Sequence, residues 1–186
     1  MVDGDWQRDV LRFWFEEIDR KCWFEPAADT DETIRRRFEP LHRRLREAVP
    51  AAAFREADAA LAAVLVYDQF PRNMFRGTAE AFATDPLALA VAGNALARRF
   101  DAGLDESARV FLYMPFMHSE DLADQIRCVA LFETLPGDNV KYAVEHREII
   151  ERFGRFPHRN RALGRVTTEE EAAFLTDHKG FGQSAP

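Results

Sequence analysis

The sequence predicts an all-α protein of seven or eight helices, packed as antiparallel pairs in a bundle or a short solenoid. Apolar residues recur at helical spacing along the whole length of 186 residues. Sustained alternation of apolar and polar residues, which is typical of half-buried strands, does not occur. Proline, glycine and capping residues divide the helical stretches at short intervals, so we expect short connections between neighbouring helices.

The first helix is predicted over about residues 5 to 19, and its apolar face is unusually aromatic. A second helix is expected to follow Asp29 or Thr30, because either side chain can accept a hydrogen bond from a free backbone amide. Pro40 is expected to kink or divide this helix. The aromatic residues near the start of the chain are assigned to the protein core, namely Phe13, Trp14, Trp23 and Phe24.

The third helix, about residues 57 to 69, is rich in alanine, leucine and valine and is predicted to be buried nearly all round. It is expected to end before Pro71, since the residue that precedes a proline is pushed out of the α region. The fourth helix is predicted to begin at Thr84, a capping residue followed by Asp85, and to run to about residue 100.

The fifth helix is predicted over about residues 105 to 114, and Pro115 is expected to stop it. Ser119 is expected to cap the sixth helix, about residues 120 to 135, because acidic residues follow in its first turn.

The seventh helix, about residues 139 to 153, is expected to end at Gly154, which can adopt the left-handed conformation of a helix C-terminus. The last helix is predicted over about residues 169 to 177. Thr167 or Thr168 is expected to cap it, since each is followed three residues later by a glutamate.

One compact domain is expected to span residues 1–186, with an ordered core over about 5–177 and a flexible tail over 180–186. Its two cysteines, Cys22 and Cys128, lie far apart in apolar surroundings. We therefore expect reduced, buried thiols rather than a disulfide.

The chain carries 25 lysines and arginines against 32 acidic residues, a formal net charge of −7. Such a charge disfavours nucleic-acid binding, which needs a basic face. The acidic start of the chain lacks the features of a secretory signal, and no apolar run is long enough to cross a bilayer. A cytoplasmic protein without membrane or nucleic-acid partners is the resulting prediction.

Polar side chains are concentrated in three segments, residues 68–78, 115–125 and 146–165, each at a predicted helix end. The third segment is locally basic, with six arginines between residues 147 and 165 against Glu148 and Glu151. A cationic patch on an acidic protein favours small anions over polyanions. We expect the three segments to meet in space and to form one site.

The polar motifs resemble those of the DUF924 family, bacterial proteins without an established activity. The resemblance extends from LRFWFEE in the first helix to TTEEEAAFL in the last, through DQFPRN, RGTAEAFATDP, HSEDLADQ and HREIIERFGRFPHRNRALGR. It implies an all-α, tetratricopeptide-like fold, in agreement with the predicted helices. It implies no activity.

A small anionic metabolite bound in an Arg/His-lined cleft is the leading functional prediction, with an enzymatic reaction as one use of that cleft. The candidate catalytic residues are His118, His158 and Asp68, in which the histidines supply acid or base groups. The candidate ligand-binding residues are Arg72, Asn73, Arg76, Glu120, Asp121, Gln125, His146, Arg152, Arg155, Arg159, Asn160 and Arg165.

Two alternatives stay open. The arginines can instead pair with carboxylates such as Asp68, Glu120 and Glu151 and hold a loop in place without doing chemistry. The chain can also be a non-catalytic, tetratricopeptide-like module that binds a protein or peptide.

The sequence shows no His-Glu-x-x-His motif or cysteine spacing of the kind that binds metals, so no metal or cofactor is predicted. His42 and His178 are expected to face solvent or lie in loops.

Overall fold

The computed structural model describes residues 5–178 and 180–182, and every regular element within them is helical. The all-α prediction is therefore confirmed. Besides short 3-10 turns, the described residues form eight α-helices, two of which include a π-helical turn: α1 (Trp6–Arg12 and the π-turn Phe13–Glu17), α2 (Ala28–Glu47), α3 (Ala57–Val64, the π-turn Leu65–Gln69 and Phe70–Met74), α4 (Asp85–Ala97), α5 (Glu106–His118), α6 (Leu122–Phe132), α7 (Val140–Phe153) and α8 (Glu169–Asp177).

Helix α3 lies at the centre of the fold. It packs against α1, α2, α4 and α5, and every side chain from Ala59 to Arg72 is buried. A helix surrounded in this way needs an apolar surface on all sides, as its alanine-rich and valine-rich sequence predicts. The arrangement is a bundle around one central helix. The tetratricopeptide-like geometry stays a prediction.

The end of α3 differs from the prediction, because the helix continues past Pro71 to Met74. A proline inside a helix leaves the carbonyl four residues earlier without its amide donor. That carbonyl belongs to Tyr67, and the hydroxyl of Thr84 donates to it at 2.7 Å. The preceding π-turn, in which the amide of Phe70 donates to the carbonyl of Leu65, also accommodates the ring.

Two more prolines fail to end their helices. Helix α2 runs through Pro40 and is not divided there, and α5 runs through Pro115 to His118, so the predicted end of α5 at Pro115 is wrong. The exposed carbonyls at the end of α5 are satisfied by Gln125, whose side-chain amide donates to Met117 at 2.7 Å and to Ser119 at 2.6 Å. These contacts stabilise the last turn of α5, beyond its proline.

Capping was predicted with mixed success. Helix α8 begins with the predicted capping box of Thr168 and Glu171, and α7 ends at Gly154 with φ of 67°. The cap of α6 is Asp121 rather than Ser119, since the Asp121 carboxylate accepts from the amide of Ala123 at 2.7 Å. Helix α2 begins at Ala28, which places the predicted caps Asp29 and Thr30 inside its first turn.

An aromatic cluster between α1, α3 and α5 forms the centre of the core. The ring of Trp14 lies 5.7 Å from that of Phe70 and 5.3 Å from that of Phe111, in the tilted and edge-to-face arrangements that aromatic pairs prefer. Phe13 and Trp14 are buried as predicted. Phe24 is not part of the core, because it is 61% exposed.

The prediction that His42 faces solvent or lies in a loop is wrong. Its side chain is completely buried between α2 and the start of α4, where its ring contacts the hydroxyl of Thr84 at 3.3 Å. Burial lowers the pKa of His42 to about 4.

The predicted tail begins at Gly180, but residues 180–182 form a short helical turn. Its Phe181 has φ of 52° and stacks on His146 with 3.9 Å between ring centroids. Residues 183–186 lie outside the described residues.

Candidate functional site

A cavity of about 430 Å³ opens between α3, α5 and α7, a size typical of small-molecule sites. The segment 22–26 and the turn Pro157–Arg159 complete its wall. All three polar segments of the sequence reach it, each at a helix end. Within these three segments, the cavity brings together residues as far apart in the chain as Gln69 and Arg159.

His118, the last residue of α5, lines the cavity and is held from behind by Asp68. Its Nδ1 lies 2.8 and 2.9 Å from the two carboxylate oxygens of Asp68, which belongs to the π-turn of α3 and is fully buried. Burial by itself would raise the pKa of Asp68, but Arg72 and His118 hold it at about 2. Asp68 is thus ionised, so Nδ1 of His118 carries a proton and donates.

Arg72 supports the same pair. Its guanidinium donates to both carboxylate oxygens of Asp85, at 2.8 and 2.9 Å, and to the backbone carbonyl of Asp68 at 2.6 Å. Burial and the charge of Arg72 lower the pKa of His118, while the carboxylate of Asp68 opposes this shift. The imidazole of His118 is therefore neutral at neutral pH, and its Nε2 carries the lone pair.

Arg159 places a second guanidinium at the cavity wall. The side chain is 6% exposed and lies between the rings of Phe82 and Phe156, at 4.7 and 4.5 Å from their centroids. It donates to the carbonyl of His118 at 3.0 Å. Its Nε finds no hydrogen-bond partner among residues 5–178 and 180–182. Burial and the nearby Arg72 lower the pKa of Arg159 to about 10.

Two further histidines line the cavity. His146 donates from Nδ1 to the carbonyl of Tyr142 at 2.7 Å, and burial lowers its pKa to about 3. Burial and the charge of Arg159 lower the pKa of His158 to about 2, and no partner for its Nδ1 lies within the described chain. Both rings are therefore neutral at physiological pH.

Other residues of the basic segment have a structural role: Arg155 and Asn160 contact α8, and Arg165 contacts the connection between α5 and α6. Arg155 forms a bidentate ion pair with Glu171, with N···O distances of 2.6 and 2.9 Å. Arg165 forms another with Glu120, with distances of 2.8 and 2.7 Å. Asn160 also donates to Glu171, at 3.2 Å. These contacts fix the loop that carries His158 and Arg159, so the alternative of a structural lock applies to this half of the segment.

Comparison with protein families gives a match between residues 10–179 and the family described as bacterial protein of unknown function, DUF924. The chain belongs to the DUF924 family. A solved structure of a protein of unknown function from Agrobacterium tumefaciens resembles it, with 42% sequence identity and a TM-score of 0.88. The similarity covers 92% of this chain and 97% of the other. A search of the curated proteins gives no match.

In this DUF924 chain the predicted site residues fall into two groups. The cavity is lined by Arg72, Asn73, Arg76, His118, His146, His158 and Arg159, with Asp68 directly behind His118. The other predicted ligand-binding residues do not line it and make structural contacts instead, because each is paired or caps a helix: Glu120, Asp121, Gln125, Arg152, Arg155, Asn160 and Arg165.

Asn73 and Arg76 line the cavity and also pair with Asp31 of α2. The amide of Asn73 donates to the Asp31 carboxylate at 2.7 Å, and Arg76 lies 3.0 Å from the same group. These contacts tie the end of α3 to α2 and position both side chains at the cavity edge.

The sequence prediction missed the apolar wall of the cavity. Trp23, Phe24, Met114 and Met117 line it together with Tyr142, and so do Cys22, Val110, Phe132 and Phe181. Trp23 and Phe24 were expected in the core. Residues that line an apolar cavity have the same helical spacing as residues that pack in a core, so periodicity alone does not separate the two.

Across the described residues, no three His, Cys, Asp or Glu side chains are grouped so that they could hold a metal ion. No helix in the described part of this DUF924 chain combines the length and apolar character needed to cross a bilayer.

Proposed function

We propose that the protein binds a small organic anion in the cavity between α3, α5 and α7. The observation that carries this proposal is that two buried guanidinium groups, those of Arg72 and Arg159, line the cavity, whereas their carboxylate partners Asp68 and Asp85 do not. Guanidinium groups bind carboxylate and phosphate oxygens through charge-assisted hydrogen bonds.

Charge supports the same ligand class. Arg72 and Arg159 face two buried or half-buried carboxylates, Asp68 and Asp85, which leaves this cluster neutral while the neighbouring histidines stay uncharged. Of these carboxylates, neither lines the cavity, whereas both guanidinium groups do. Within this cluster only the guanidinium groups therefore line the cavity; a further carboxylate, that of the exposed Glu25, lies elsewhere on the cavity wall.

The experiment is a thermal-shift titration of the full chain with acetate, benzoate and inorganic phosphate. Arg159→Met keeps much of the packing between the two phenyl rings and removes the charge, so we expect it to abolish the ligand-induced shift. A ligand at about 100 times its Kd stabilises the wild-type chain by about 2.7 kcal/mol. Arg152→Met is the matched control, because Arg152 pairs with Glu170 away from the cavity.

Three results would contradict anion binding at this cavity: no shift with any of the three anions, an unchanged shift in Arg159→Met, or an equal loss in Arg152→Met. His158→Asn supplies a second variant, since it removes the unpartnered imidazole without removing a charge. We expect this variant to reduce the shift and to leave the folded structure intact.

A catalytic use of the cavity is favoured by the contact between Asp68 and His118. A carboxylate that fixes the protonated Nδ1 of an imidazole leaves Nε2 as a proton acceptor, which is the arrangement of a general base. We propose that His118 takes a proton from the bound anion or from water beside it.

Histidine-selective nitrogen NMR tests the base directly. His118 is expected to show the tautomer with the proton on Nδ1 and to remain neutral below its ordinary pKa of 6.5, because burial and Arg72 lower that pKa. In Asp68→Asn the tautomer preference should be lost. A His118 that is protonated on Nε2 in the wild-type chain would exclude the general-base role.

A further inference from the structure

The cavity has a polar end and an apolar end, and α5 runs from one to the other. Val110, Met114, Met117 and His118 all line the cavity from this helix. The eight steps from Val110 to His118 correspond to roughly 12 Å along the helix axis. His118 marks the polar end, where Arg159 donates to its carbonyl at 3.0 Å.

Away from His118 the wall is mainly apolar and aromatic. Val110, Phe132 and Trp23 line the cavity together with the polar residues Glu25 and Asn139, and the ring of Trp23 lies 5.1 Å from that of Phe111, which follows Val110 in α5. Phe24 lies at the cavity wall and is 61% exposed, although a phenylalanine is usually buried. Methionine side chains adapt to the shape of an apolar ligand, so Met114 and Met117 suit a flexible or aromatic tail.

We infer that the ligand is an amphiphilic organic acid, whose carboxylate or phosphate group lies near Arg159 at the end of the cavity marked by His118 and whose apolar tail extends along α5 toward Val110. This inference rests on the proposed anion binding and adds the chemical class of the rest of the ligand. A purely polar anion such as phosphate would occupy one end of the cavity and leave the methionine and aromatic side chains in contact with water.

The tail makes a measurable contribution to affinity. Each methylene group that leaves water gives about 0.8 kcal/mol, which corresponds to about fourfold in Kd. A tail that contacts Met114 and Val110 is therefore expected to raise affinity stepwise with its length, until it fills the apolar end.

Calorimetric titration of the full chain compares each headgroup with and without a tail, using acetate against octanoate and inorganic phosphate against octyl phosphate. We expect the long-chain member of each pair to bind more than tenfold tighter. The headgroup that binds better distinguishes a carboxylate ligand from a phosphate ligand. Met114→Gln, which keeps the side-chain length, should weaken octanoate about tenfold and leave acetate unchanged.

Phe24→Ser is a second variant, because an exposed side chain can be shortened with little effect on folding. It should weaken octanoate by about fourfold, the equivalent of one methylene group. The control is Ile126→Gln, which removes an exposed apolar side chain that does not line the cavity. No change in binding is expected for this variant.

The outcomes separate this inference from the proposed function. Equal affinities for acetate and octanoate would overturn the amphiphilic ligand and leave anion binding intact. Octanoate that binds Arg159→Met as tightly as the wild-type chain would show adsorption through the tail alone, and it would overturn the assigned orientation. If none of the four compounds binds, the proposed function itself fails.

Discussion

Arg72→Met is expected to destabilise the folded protein by about 3–5 kcal/mol, the cost of removing one partner of a buried ion pair. Arg72 is 5% exposed and is the main charge partner of both Asp68 and Asp85. Without Arg72, two carboxylates remain in a low-dielectric interior. The charge of Arg72 is also the largest of the effects that lower the pKa of Asp68, so the ionised form of Asp68 is destabilised. Urea unfolding, followed by circular dichroism, measures the change.

Two controls identify the cause of this loss. Arg72→Lys keeps the charge but cannot form the two-pronged contact with Asp85, so we expect an intermediate loss. Arg152→Met breaks the exposed pair with Glu170 and should cost less than about 1 kcal/mol. If Arg72→Met costs no more than Arg152→Met, the buried cluster does not contribute in the way that its geometry indicates.

Acidification is expected to destabilise the protein strongly below about pH 6.5, well before its carboxylates titrate. The pKa of His146 is lowered to about 3 and that of His158 to about 2, in both cases mainly by burial. Between these values and 6.5 the unfolded chain binds protons that the folded chain excludes. Stability is therefore complete above pH 6.5 and decreases as the pH falls.

The size of the effect follows from the pKa shifts. At about pH 5, which is about 1.5 units below the unfolded pKa, each of these two histidines has lowered the free energy of unfolding by on the order of 2 kcal/mol, because one pKa unit corresponds to about 1.4 kcal/mol. His42 and His118 add to the loss, since their pKa values are also lowered. Free energies of unfolding from urea titrations between pH 7.5 and pH 5 test this, under the linkage relation.

His146→Gln should reduce the loss in the free energy of unfolding between pH 7.5 and pH 5 by on the order of 2 kcal/mol, because glutamine does not titrate. His178→Gln is the control, since it removes a histidine from the edge of the same cluster. A wild-type stability that stays flat down to pH 5 would mean that the buried histidines are protonated in the folded protein.

The meeting of the three polar segments could be predicted because each lies at a helix end, and helix ends are where a bundle gathers polar groups. His118, Arg72 and Arg159 were identified in this way. The sequence could not predict which arginines of the basic segment line the cavity and which form structural ion pairs. Arg155 and Arg159 are four residues apart and chemically identical, and only the position of Glu171 shows which of them pairs away from the cavity.

Proline positions were the weakest guide to helix boundaries. Pro71 and Pro115 each leave a carbonyl without an amide donor, and a local rule predicts a helix end in both cases. In the structure, the Thr84 hydroxyl donates to the carbonyl of Tyr67, which Pro71 leaves without its amide donor and which lies 17 residues before Thr84. Such tertiary compensation is invisible to any rule that considers neighbouring residues only.

The π-turn Leu65–Gln69 amounts to one additional residue in a helix with 3.6 residues per turn. Every side chain beyond it is therefore rotated by about 100° from the direction that an unbroken α-helix would give it. A relative that lacked this single residue would retain the DQFPRN motif letter for letter, yet it would turn Arg72 away from Asp85. The cavity therefore depends on both the DQFPRN motif and the additional residue of the π-turn.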